Sequence, residues 1–142
     1  METSSSKNQE RLKKDFYQML GELFYAVASA DKKIRREEIE AMDKIVKTEW
    51  IAFDDSFDRY GTDFVMQIGM AFYWLAENEF DPKNAVADLR IFKKDHPEFF
   101  TETIHILILK TAEAIACAFA GKNKSELVLL SQIENTLKTY QS

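Results

Sequence analysis

From Leu12 to Val27 the chain places Leu12, Phe16, Met19, Leu20, Leu23, Phe24 and Val27 in steps of three and four. That spacing matches the turn of an α-helix and lays one apolar stripe along one face, whereas a half-buried strand needs strict alternation. A helix is predicted here, ending near Asp31. The spacing returns in Ile39, Met42, Ile45, Val46 and Trp50, with Arg36, Glu37, Glu40 and Lys44 opposite, so a second helix is predicted from about Arg35. Phe64, Ile68, Ala71, Phe72 and Leu75 give a third, for which Thr62 or Asp63 is a suitable N-cap. Phe72, Tyr73 and Trp74 cover more than one face and predict that this helix is sandwiched between others.

A fourth helix is predicted from Pro82 to about Lys94, presenting Val86, Leu89 and Phe92. Proline fits the first turn of a helix, so His96 and Pro97 predict the start of a fifth, running to about Ala120 with Phe100, Ile104, Leu107, Ile108, Ile115 and Ala118 inward. The run Gly121 to Lys124 interrupts it. Asn123 with Glu126 three residues later has the spacing of a capping box for a last helix carrying Leu127, Leu130, Ile133 and Leu137. Only 4 Gly and 2 Pro in 142 residues leave too few turn-formers for a sandwich or barrel of short strands. The expected fold is all-α, a single compact domain of about six helices over residues 10–142, behind a loose tail over 1–9 whose polar, serine-rich composition cannot repay the entropy of ordering. The segment from Trp50 to Phe64, with Gly61 as its break, is read as irregular, with room for one helical turn.

A net charge of −5 with pI near 5.1 supplies no basic field for nucleic acid and suits cations or basic partners instead. The most apolar window, "TIHILILKTAEAIACAFA", is cut by Lys110 and Glu113, which argues against direct membrane insertion. The lone Cys117 cannot form an internal disulfide and reads as a small buried hydrophobe beside Ala114 and Ala118. The start "METSSSKNQERLKK" holds no apolar run of the secretory kind, and a cytoplasmic location is expected. His96 and His105 stand in neither a zinc-binding nor a catalytic spacing.

Sliding the chain on itself by 88 residues pairs Phe16 with Ile104, Leu20 with Ile108, Val27 with Ile115, Glu38 with Glu126 and Met42 with Leu130. Two similar helix-turn-helix units are one reading; the chance agreement of any two amphipathic hairpins is the other. The first of these units, through Ala28, Ala30, Asp31, Ile34, Glu37 and Glu38, resembles the tellurite-resistance TerB-like family, whose hallmark is a turn of the form A-x-A-D-G-x-I followed by an acidic helix start. The likeness covers about Asp15 to Trp50 and, more weakly, Ile104 to Leu137. Lys32 stands where the family has glycine, Arg35 where a serine or threonine cap is common, and Phe119 where a second aspartate would match Asp31.

The resemblance implies a non-enzymatic adaptor or sensor of the kind linked to tellurite and other stress resistance, with a protein partner, in some cases a membrane protein or a co-chaperone assembly. Asp31, Glu37 and Glu38 suit a divalent cation such as calcium or magnesium, because hard cations want several carboxylate oxygens. The alternative for the same residues is a helix-start charge cluster that gains from the helix dipole. Asp54, Asp55, Asp58 and Asp63 divide likewise between cation ligands and turn-formers. Trp50, Phe53, Phe57 and Tyr60 divide between a partner-binding patch and core closure. A competing function is a small-molecule binder or enzyme with an aromatic pocket of Phe72, Trp74, Phe92 and Phe99. A homodimer through the long apolar helices is a third.

Overall fold

The computed structural model describes residues 4–53, 64–118 and 124–138. The protein is all-α: its described elements are six α-helices, with no strand among the described residues. They are α1 (Ser4–Ala28), α2 (Arg36–Ile45), α3 (Gln67–Glu77), α4 (Ala85–Asp95), α5 (Glu102–Cys117) and α6 (Lys124–Lys138). α2 continues through a π turn, Val46–Trp50, into a short helical piece, Ile51–Phe53. The first turn of α1 begins at Ser4, inside the segment read from sequence as a loose tail.

α1 is the central element, and each of the other five helices packs against it. Its apolar stripe explains why: Leu20, Leu23, Phe24 and Val27 are wholly removed from solvent. They meet Met42 and Trp50 of the α2 arm, Ile68 and Phe72 of α3, Leu89 of α4, Ile108 and Ile115 of α5, and Ile133 of α6 in one core. α1 and α3 approach closely at Gly21, where an added Cβ would lie 2.5 Å from the Ile68 carbonyl oxygen and 2.8 Å from the Ala71 Cβ. A side chain at that position would hold α1 and α3 apart.

Trp50 shows how the π turn serves the core. The wider turn carries the indole inward, where it is fully buried and its Nε1–H donates to Thr111 Oγ1 at 2.9 Å. The Thr111 hydroxyl in turn donates to the Leu107 carbonyl at 2.7 Å, so no polar group of this pair is left bare in the core. Trp50 is therefore core closure and not part of an exposed patch. Phe53 is 37% exposed, and Phe57 and Tyr60 lie outside the described residues.

Several sequence expectations are corrected. Pro97 opens only a single 3-10 turn, Pro97–Phe99, because Phe99 and Phe100 both turn onto Phe16, at ring-centroid distances of 4.8 and 5.6 Å. The fifth helix restarts at Thr101, whose Oγ1 accepts the Ile104 N–H at 3.2 Å as an N-cap. α3 is covered on one face only, since Tyr73 and Trp74 reach solvent. Leu127 is exposed where an inward position was expected, and Cys117 is exposed as well. The caps assigned to Thr62, Asp63 and Asn123, the breaks at Gly61 and Gly121, and the aspartates Asp54, Asp55, Asp58 and Asp63 lie outside the described residues, as does Phe119.

Candidate functional site

The turn after α1 is built by its own backbone. The Ser29 hydroxyl and the Lys32 N–H donate to the Tyr25 and Ser29 carbonyls, both at 2.8 Å. Lys32 then takes φ 67, the left-handed region that glycine tolerates best. Asp31 Oδ1 accepts the Lys33 N–H at 3.2 Å, an Asx turn that carries the chain towards α2. At the start of α2 the Arg35 N–H donates to Glu38 Oε1 at 2.7 Å, and the Glu38 N–H returns to the Arg35 carbonyl at 3.0 Å. The Glu38 carboxyl thus supplies the N3 half of a capping box, receiving the N–H of the N-cap residue Arg35.

The three acids suggested as cation ligands are divided by this arrangement. Glu37 is exposed and Glu38 is only 2% exposed, turned under the helix start. Glu38 shares a side-chain hydrogen bond with Glu126 of α6, which is also 2% exposed. Burial, partly offset by the Arg35 N–H and reinforced by Asp31 and Glu126, pushes the Glu38 carboxyl up to about 7. Beside a second buried carboxyl the charged form of Glu38 is disfavoured and its protonated form favoured. Among the described residues no three His, Cys, Asp or Glu side chains converge on a point that could hold a metal ion.

A second carboxyl pair joins α1 to α4. Glu22 and Asp88 share a side-chain hydrogen bond, and burial together with that neighbour pushes Glu22 up to about 7. The pair lies in a groove of about 350 Å³ that includes Asp15, Asp95 and His96. Beside it a second groove, of about 480 Å³, runs along α3 past Met70 and Trp74 to Phe80, just beyond the helix end. Gln18 and Glu22 of α1 line both, so the two grooves adjoin over α1, one against α4 and one against α3, and are together called the trough.

The α3 wall is apolar and open. Met70 is 61% exposed, Trp74 59% and Phe80 48%. The Trp74 and Phe80 rings lie 6.5 Å apart, and the Phe80 carbonyl is tied to α1 by the Tyr25 hydroxyl at 2.6 Å. The aromatic pocket suggested by the sequence takes a different form. Phe72 is a core residue against Tyr25, Trp74 faces solvent, and Phe92 and Phe99 belong to the ring cluster about Phe16. The trough and both carboxyl pairs escaped sequence reasoning, with one exception. The 88-residue echo already matched Glu38 to Glu126, and that equivalence was a usable signal.

No family model, curated protein or solved structure matches this chain. No helix among the described residues is long and apolar enough to cross a membrane.

Proposed function

We propose that the chain is a non-enzymatic adaptor domain of the TerB-like kind, acting in a stress response by binding a protein partner. The observation that carries this reading is the open apolar wall of α3, where Met70, Trp74 and Phe80 stand together in solvent. Large apolar side chains grouped in this way favour a protein surface over water. Two further features support the TerB-like assignment. The left-handed residue after α1 is Lys32, at the position where the family's glycine would stand. Glu38 and Glu126, equivalent in the internal echo, meet at the starts of α2 and α6, as two related units packed together would bring them.

The test is site-specific photo-cross-linking in cells. A benzophenone amino acid replaces Trp74 in one variant and Glu134, on α6, in another. A discrete adduct with one protein from position 74, and none from position 134, is the expected result. Equal, diffuse labelling from both positions would remove the adaptor reading.

A further inference from the structure

The apolar wall of α3 is only one side of the trough, and the other side is acidic. Asp15 and Glu22 stand seven residues apart on α1, as do Asp88 and Asp95 on α4. Seven residues are two helical turns, so each pair presents carboxylates about 10 Å apart along its helix. Among the described residues no lysine or arginine lines either part of the trough. Two of the three basic side chains of α4 serve its other flank: Arg90 lines a separate depression towards α6, and Lys93 Nζ donates to the Thr136 carbonyl.

We infer that the trough over α1 is the docking site for a basic amphipathic helix of a partner protein, with apolar side chains against Met70, Trp74 and Phe80 and lysines or arginines against the Asp15, Glu22, Asp88 and Asp95 carboxylates. The inference rests on the adaptor reading and names the partner's chemistry. An amphipathic helix matches both walls at once, because its own i and i+7 positions repeat at the spacing of the acid pairs. Burial and the Asp88 neighbour raise the Glu22 carboxyl in the free protein, and a cation placed beside it would favour its ionised form. Anionic lipid and nucleic acid are repelled by the same four carboxylates. A second copy of this chain, itself at −5, brings an unfavourable net charge.

Trp74 provides the readout, since the only other tryptophan, Trp50, is fully buried and insensitive to a ligand in the trough. The full chain is titrated with a synthetic leucine–lysine amphipathic peptide and with its leucine–glutamate counterpart, following tryptophan emission and, in parallel, heat by calorimetry. The lysine peptide is expected to bind and shift Trp74 emission to the blue, with the glutamate peptide silent. Affinity should fall at least tenfold in Asp88→Asn/Asp95→Asn and severalfold in Asp15→Asn, whose exposed site leaves the core untouched. It should hold in Glu37→Gln, an acid outside the trough.

Binding of both peptides alike, wild-type affinity in the trough variants, or no binding would overturn the inference. A dimer that fills the trough, seen by light scattering, would do the same. The cross-linking experiment separates the two claims. A single partner captured from position 74 but lacking a basic helix would leave the adaptor reading standing and remove this one.

Discussion

Two positions show glycine chemistry working in opposite directions. Lys32 holds φ 67, a conformation that costs an L-residue roughly 1–2 kcal/mol. Lys32→Gly removes that strain but adds freedom to the unfolded chain, so the variant should be more stable by about 0.5–1 kcal/mol, read as a higher urea midpoint at unchanged slope. Gly21 is the converse. In an open helix, glycine to alanine would gain about 1 kcal/mol. Here the new Cβ meets the Ile68 carbonyl at 2.5 Å, which is backbone and cannot rotate away. Gly21→Ala should therefore lose about 1–3 kcal/mol, the usual cost of overpacking, as the α1–α3 contact opens. A Gly21→Ala protein as stable as wild type would mean that these helices slide freely.

At the scale of elements, the start of α5 depends on one hydroxyl. Thr101→Ala should cost about 1 kcal/mol in urea unfolding, and Thr101→Ser should restore most of it, because the cap needs only the oxygen that receives the Ile104 N–H. The helix itself was legible in the sequence, but its start was not. Proline at a first turn is a sound local rule, yet Phe99 and Phe100 must both reach Phe16, and that long-range demand ends the turn after three residues. α1 and α2 were legible because their apolar spacing is regular and their exposed faces are charged. The exposed face of α3 was not, since Phe72, Tyr73 and Trp74 are adjacent and nothing local distinguishes the ring that is buried from the two that are not. Tyr73 reaches solvent with its hydroxyl on Asp43 Oδ2, a contact with a residue of α2 that no local pattern announces. The acidic wall of the trough is hidden for the same reason. Glu22 and Asp88 belong to different helices, and only the packing of α4 on α1 brings them together.

Across the whole molecule Glu38 and Glu22 give stability a pH-dependent contribution. Glu38 lies at about 7 in the folded protein against an ordinary value of 4.5, and Glu22 is raised to about the same level. Between these limits the native chain retains protons that the unfolded chain has released, so the contribution of these two groups is fully present below about 4.5 and is lost as pH rises through 7. The loss is driven by burial at Glu38 and by its neighbours Asp31 and Glu126, with the Arg35 N–H acting in the opposite sense. Glu38→Gln makes the neutral form permanent while keeping an acceptor for that N–H and a donor towards Glu126. It should match wild type near pH 4.5 and exceed it at about pH 8 by about 1–3 kcal/mol, which is the linkage carried by a shift of this size. Urea unfolding at a series of pH values checks this. Parallel curves for the two proteins would mean that Glu38 ionises as an exposed glutamate does, and the contact between the starts of α2 and α6 would then have to be held by something other than a proton on Glu38.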